Sequence, residues 1–371
     1  MNASPERIMY MAMELSNKEW KLAFAAPGGK VRLRSMPARN QIRLVAEIKL
    51  AKEKLGLPPA ARVRSCYEAG RDGFWIDRML KKIGVENSVV DSASIEVDRR
   101  LRRAKTDRLD AQNRVSRLVR YWEDTTECRK WSVVRVPDEA DEDARRTRRE
   151  VGRLSGEQTA HLSRIRSLLA LQGVIVTRVT RAAVLGAKDW AGRELPAALR
   201  AELAREMSRL EIVREQLKTL EKEHVESLKK PVTRGQQSAA KMLYLKSLGV
   251  ATALTLGNEF FGWRNFRNRR QVGSCAGLTG TPYDSGGQRR EQGINKAGNR
   301  RVRHLMVEQA WRWLRWQPQR ALSRWYQERF GGGGSRLRRV GIVALARKLL
   351  VAIWKYLAFD IVPEGAVLKP A

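Results

Sequence analysis

Hydrophobic positions over residues 7–122 switch between a two-residue and a three-to-four-residue period. The apolar run Ile8–Leu15 reads as a strand. Trp20–Ala26 and Lys30–Met36 read as two more, joined at Pro27-Gly28-Gly29, a natural turn. Asn40 then stands as the cap of a helix running through Leu55, with apolar positions at Ile42, Val45, Ile48 and Leu55. Arg62–Tyr67 predicts a fourth strand, Phe74–Ile83 a helix, Val85–Val90 a fifth strand, and Thr106 caps a last helix to about Trp122. The order βββ-α-β-α-β-α is a meander followed by alternating crossover units, an α/β domain over residues 7–125.

From residue 138 the pattern becomes helical. Asp138 to Arg149 is almost wholly charged; Val151, Leu154, Gln158, Leu162, Ile165, Leu168 and Leu169 then mark one stripe. Leu199, Leu203, Met207, Leu210, Val213, Leu217, Leu220, His224 and Leu228 mark a second, spaced as a coiled-coil seam with His224 as a register-setting polar residue. Two long helices over 138–230 would pair as a hairpin or with a second copy of the chain. Residues 240–360 predict a mostly helical third region. Its segment Leu245–Ala251 turns at Gly249, either as an ordinary helix connection or as a seat for phosphate on backbone N–H groups. Gly331–Gly334 reads as a flexible loop, and Arg338–Leu357 as a closing helix.

Charge narrows the function. Among 371 residues, 73 Lys and Arg face 40 Asp and Glu, a formal charge of +33. With 43% hydrophobic residues and 11 Trp, this is a folded chain and not a basic tail. So large a surplus calls for a polyanion, nucleic acid ahead of an anionic membrane surface. Cys66, Cys128 and Cys275 are too scattered for a disulfide framework or a zinc site and read as buried thiols. No apolar run reaches the roughly 18 residues of a membrane span, and the N-terminus lacks a signal-peptide pattern, so a soluble cytoplasmic protein without membrane contact is expected.

Four acids stand out. Glu14 and Glu68 close the first and fourth strands, which neighbour each other in such a sheet. Asp107 and Asp110 lie three apart at a helix start, on one face. Singly, each has a plain reading: Glu14 and Glu68 as solvated strand ends, Asp107 as a helix-dipole partner, Asp110 as an i,i+4 partner of Arg114. Jointly, four converging carboxylates need a cation, and their oxygens suit Mg²⁺ or Mn²⁺, which can clamp the reacting oxygens of a phosphodiester. The same segment carries Arg102, Arg103, Lys105 and Arg108, a basic approach to an acidic centre.

A second centre is Thr281–Gly287, a glycine-rich turn holding Ser285. Around it lie Arg269, Arg270, Arg289, Arg290, Lys296, Arg300 and Arg303. A turn serine among guanidinium groups either touches phosphate or attacks it. The segment Trp311–Trp316 interleaves Trp with Arg; its period turns Val302, Leu305, Met306, Ala310 and Trp313 to a core and leaves Trp311 and Trp316 open to base stacking.

Together these residues resemble the DEDD-type transposases of the insertion-sequence family numbered 110, with its 1111 subgroup. Lys105-Thr106-Asp107-Arg108-Leu109-Asp110-Ala111 matches the family's third and fourth acids, and Tyr67-Glu68-Ala69-Gly70 its second. The stretch from Phe266 through Ala276-Gly277-Leu278, Ser285-Gly286 and Ile294–Asn299 to Arg303 is similar to its C-terminal transposase domain. Where the family commonly has Asp as its first acid, this chain has Glu14, one methylene longer. The resemblance implies a RuvC-like domain of the ribonuclease H class, a coiled-coil linker and a mostly helical transposase domain. It further implies Ser285 as a nucleophile that links covalently to DNA, and a structured bridge RNA that pairs with donor and target DNA. The active form would be a homo-oligomer, dimer or tetramer. Two rivals remain: a RuvC-like junction nuclease using water alone, and a non-catalytic RNA-binding protein.

Overall fold

The computed structural model describes residues 7–70, 72–91, 107–123, 132–285, 288–364 and 366–369. The chain divides into two compact units, Met1–Pro137 and Asp138–Ala371.

The first unit carries β1 (Ile8–Glu14), β2 (Glu19–Ala25), β3 (Arg32–Pro37), α1 (Gln41–Lys54), β4 (Arg62–Glu68), α2 (Trp75–Lys82), β5 (Val85–Val90), α3 (Asp107–Glu123) and the two-residue β6 (Val133–Val134). The strands form one mixed sheet in the order β3-β2-β1-β4-β5-β6. β1 runs antiparallel to β2 and parallel to β4, so the meander and the crossover half meet at β1. As expected, Asn40 caps α1, its side-chain oxygen accepting from Arg43 N at 2.9 Å. Thr106, expected to cap α3, lies outside the described residues. β6 was not expected; two residues give no readable period.

β1 is buried on both faces, which its unbroken apolar run reflects. Met9, Met11 and Met13 pack with Trp20, Leu22 and Phe24 under α1 and α2. On the opposite face Tyr10, Ala12, Ala23, Ala25 and Cys66 meet Ala111, Val115 and Leu118 of α3. The small residues there let α3 lie close against the centre of the sheet.

The second unit holds α4 (Glu139–Ala170), α5 (Arg181–Leu185), α6 (Ala197–Lys229), α7 (Arg234–Met242), α8 (Val250–Leu256), α9 (Arg269–Cys275), β7 (Gly280–Ser285), β8 (Gln288–Ile294), α10 (Arg300–Trp316), α11 (Ala321–Tyr326) and α12 (Ser335–Phe359). α4 and α6 pack as a hairpin through Ile165, Leu169, Leu203, Met207 and Leu210. His224 is buried on that seam, its Nε2 3.2 Å from Thr147 Oγ1 of α4. The remaining helices enclose one core, with Val302, Met306, Ala310 and Trp313 of α10 against Ile342, Leu345, Leu349 and Ile353 of α12. Gly249 is the N-cap of α8, and the carbonyls just before it are taken internally: Gln309 donates to Ser247 O at 2.9 Å and Gln317 to Lys246 O at 2.6 Å. α12 starts at Ser335, three residues earlier than its apolar period suggests. The segment expected as a serine-bearing turn is an antiparallel hairpin, β7–β8. Its strands are polar and glycine-rich, so no alternation marks them.

Candidate active site and nucleic-acid interface

The first site forms where β1 and β4 end. Met13 and Tyr67 are the last register pair of the parallel ladder, which sets Glu14 and Glu68 side by side at the carboxyl ends of both strands. Carboxyl ends of adjacent parallel strands are where open α/β sheets hold their ligands. A cleft of about 290 Å³ opens there, lined by Glu14, Leu15, Glu68, Ala69, Asp72 and Arg114.

Arg114 comes from α3. Its Nη1 lies 2.7 Å from Glu14 Oε2 and donates to Met13 O at 2.9 Å, while Nη2 donates to Glu68 Oε2 at 2.9 Å. Arg114 is only 7% exposed. The reason is register: Arg114 follows Ala111 by three residues and precedes Leu118 by four, so it shares the helix face that packs on the sheet. Asp107 and Asp110 occupy the first and fourth positions of α3. Their spacing from Arg114, seven and four residues, puts both on that same face, two turns and one turn nearer the helix start.

The sequence reading paired Arg114 only with Asp110 and overlooked its hold on both strand ends. It also missed Asp72, four residues past Glu68, which lines the same cleft with Oδ1 3.8 Å from Arg39 Nη2. Two buried neighbours are chemically quiet. Burial pushes the Cys66 thiol up to about 12, against the opposing charge of Arg114. Burial likewise raises the Tyr67 phenol, whose hydroxyl donates to Gly73 O at 3.0 Å. Among the described residues no three His, Cys, Asp or Glu side chains group as metal ligands. The two that converge, Glu14 and Glu68, are hard oxygen donors whose charge Arg114 already offsets. Arg102, Arg103 and Lys105 lie outside the described residues; Arg108 is the second residue of α3.

The second site belongs to the other unit. Ser285 ends β7 opposite Gln288, and Arg289 and Arg290 stand in register with Asp284 and Tyr283. Gly286 and Gly287 lie outside the described residues. The base of this hairpin is tightly tied. Asn295 N donates to Thr279 O at 2.8 Å, and Asn299 N to Cys275 O at 2.8 Å. Asn299 caps α10 by accepting from Arg301 N and Val302 N at 3.0 and 3.2 Å. A Cβ on Gly298 would lie 2.3 Å from Cys275 O and Gly277 N, so only glycine permits this approach. The motif from Ile294 to Asn299 thus has a mechanical role, holding the hairpin against α9 and α10.

The cations here divide. Arg269, Arg270, Lys296 and Arg300 are exposed. Arg303 instead turns inward, its Nη1 donating to Lys296 O at 2.9 Å and to the carbonyls of Ala276 and Gly298 at 3.4 and 3.5 Å. Trp311 and Trp316 are exposed, while Trp313 is buried. Cys275 is exposed, unlike the buried thiol expected of it, because it sits on the outer turn of short α9; Cys128 lies outside the described residues. No helix among the described residues is long and apolar enough to cross a membrane.

Comparison with known proteins adds a family. Residues 239–326 match the model described as "Transposase IS116/IS110/IS902 family". A protein of Sinorhizobium fredii named "Putative transposase y4rJ" is 39% identical over 97% of this chain and 94% of its own length. A Pseudomonas aeruginosa protein named "Probable family 20 transposase" is 30% identical over 56% of this chain and 60% of its own length.

Proposed function

From the premise that this chain belongs to the IS116/IS110/IS902 family of transposases, we propose that it recombines DNA through two chemical centres, one acidic and one bearing a serine. The observation that carries the reading is the convergence of Glu14 and Glu68 at the ends of two parallel strands, held together by Arg114 of α3.

The first unit is read as RuvC-like, of the ribonuclease H class; the mixed sheet with its antiparallel meander and parallel half supports this. Its carboxylates suit Mg²⁺ or Mn²⁺, which Glu14, Glu68, Asp107 and Asp110 would hold. Bound there, the ion would offset charge on the oxygens of a phosphodiester. Arg114 keeps Glu14 and Glu68 aimed into one cleft, and its positive charge limits their mutual repulsion. The longer Glu14 keeps its carboxylate within reach of that cleft.

In the second unit, Ser285 Oγ attacks a DNA phosphorus, a P–O bond to the deoxyribose breaks, and the departing oxygen takes up a proton. The DNA is then joined to the protein as a phosphoserine ester, which a second DNA hydroxyl can reopen. Arg269, Arg270, Arg289, Arg290, Lys296 and Arg300 offer positive charge to the backbone. Arg303 acts by holding the turn at Lys296. A structured bridge RNA would supply donor and target choice by base pairing, and the +33 charge supports a chain that holds RNA and DNA together. The α4–α6 hairpin is the element on which a dimer or tetramer would assemble.

The test is recombination of a plasmid-borne element, with reaction products run on a denaturing gel. Asp107→Ala and Ser285→Ala should both abolish recombination, and only the parent should yield a protein–DNA adduct. Recombination by Ser285→Ala at the parental rate removes the serine from the mechanism. Metal-dependent cutting without an adduct favours a nuclease that uses water.

A further inference from the structure

α12 carries six basic residues and no acid over its 25 positions. On the α4–α6 hairpin side several cations are matched: Arg181 pairs with Glu211, and Arg164 and Arg209 with Glu206. The inner face of α12 packs into the core through Ile342, Leu345, Leu349 and Ile353. Its outer face lines two grooves. One, of about 540 Å³, lies against α9 and includes Arg269, Arg270, Arg347, Lys348 and Lys355. The other, of about 980 Å³, lies against the β7–β8 hairpin and includes Lys296, Arg336, Arg339 and Arg347. Arg347 lines both, so the two adjoin at that residue.

The five cations of this face, Arg336, Arg339, Arg347, Lys348 and Lys355, are all exposed. Among the described residues none of them pairs with a carboxylate; Arg339 Nε donates to Ser335 O at 3.2 Å, and Lys348 Nζ sits 4.6 Å from the centre of the Trp325 ring. A row of this kind is costly through self-repulsion unless an anion of matching length lies along it. From Arg336 to Lys355 the helix rises about 28 Å, equal to about eight base-pair steps along the axis of duplex DNA. The floor between the cations is largely aliphatic, from Val343 and Val351; Gln292 of β8 also lines the larger groove, and no carboxylate lines either one.

We propose that the outer face of α12, with Arg269 and Arg270 of α9, seats the sugar–phosphate backbone of duplex DNA across about eight base pairs. The guanidinium groups take phosphate oxygens in pairs, and the aliphatic floor lies under the deoxyribose. The cations fall in three groups along the helix, Arg336 with Arg339, Arg347 with Lys348, and Lys355, about 11–15 Å apart, on the scale of the roughly 12 Å major groove that separates the phosphate rows of a regular duplex. The proposal rests on the reading that the chain acts on DNA.

The test uses the full chain and measures binding by fluorescence anisotropy across a salt series. The probes are a random-sequence DNA duplex and an RNA hairpin of equal length. The variant combines Arg336→Ala, Arg339→Ala and Arg347→Ala; a control of equal charge change combines Arg181→Ala, Arg193→Ala and Arg200→Ala on the α4–α6 hairpin side. All six side chains are exposed, so the fold is retained, and thermal melts check it. On DNA the variant should flatten the salt slope by about 2.7 and bind about a hundredfold more weakly at physiological salt, while RNA binding and the control stay near parental values. Unchanged DNA binding overturns the proposal. So does a loss seen on RNA alone, equally on both probes, or equally in the control. Binding is read without any strand chemistry, so failure of the Ser285 reading leaves this measurement standing.

Discussion

Replacing Arg114 by methionine keeps most of the side chain's volume on α3 and removes the cation between Glu14 and Glu68. Three charge-assisted contacts are lost, at 2.7 Å to Glu14, 2.9 Å to Glu68 and 2.9 Å to Met13 O. Breaking a fully buried pair costs about 3–5 kcal/mol. Here Arg114 is buried, but the Glu14 and Glu68 side chains keep 23% and 39% of their exposure and regain water when the arginine is gone. The expected loss is therefore smaller, about 2 kcal/mol. For a unit of this size that lowers the melting temperature by about 4–8 °C. The assay is thermal unfolding of the full chain followed by circular dichroism, with and without about 10 mM Mg²⁺. In the parent, Arg114 offsets only part of the charge of the four acids proposed to hold the ion, so added Mg²⁺ should raise the transition modestly. In Arg114→Met the ion has two uncompensated carboxylates to bind and should recover part of the loss, as any ligand that prefers the folded state does. A variant that melts within about 1 °C of the parent would refute the energetic role of the pair. Equal Mg²⁺ shifts in both proteins would refute the idea that arginine and metal answer the same charge.

Gly298→Ala should destabilise the second unit by at least about 2 kcal/mol, because the new Cβ meets backbone atoms of Cys275 and Gly277 at 2.3 Å and neither can rotate away; urea midpoints measure it. Asn299→Ala removes the cap of α10 and should cost about 1 kcal/mol by the same assay. Burial opposes ionisation of Glu206, yet His161, Arg164 and Arg209 hold its carboxyl down at about 2 against an ordinary 4.5. Its folded value lies below its unfolded one, so its contribution is complete above pH 4.5 and fades as pH falls toward about 2. Glu206→Gln should accordingly lose up to about 3 kcal/mol at neutral pH and much less near pH 2, measured by urea unfolding across that range; a pH-independent loss would contradict the assignment.

Local pattern carried much of the first unit. The apolar run of β1, the turn at Gly28, the Asn40 cap and the period of α2 are set by neighbours within a few residues, and strands and helices appear where that pattern puts them. The same holds for the α4 and α6 stripes and for the buried face of α10. Convergence of Glu14 and Glu68 was legible too, because a meander followed by a crossover leaves β4 only one open edge beside β1. What the pattern could not show are relations between distant positions that leave no period behind. Arg114 reaches Met13 O across 101 residues, and it does so because Ala12, Ala23 and Ala111 are small enough to let α3 settle on the sheet. The β7–β8 hairpin is polar on both strands and is held by backbone ties to α9 and α10 at Gly277 and Gly298, so its own sequence reads as a turn. The cations of α12 look like an ordinary solvated face until α9 and the hairpin close grooves along them. By itself, then, the order of apolar and polar residues determined which elements form and which face of each is buried. Only the tertiary structure decided which cation stands beside which carboxylate and which charges are left unmatched, because electrostatic partners are chosen by distance in space, and packing alone sets that distance.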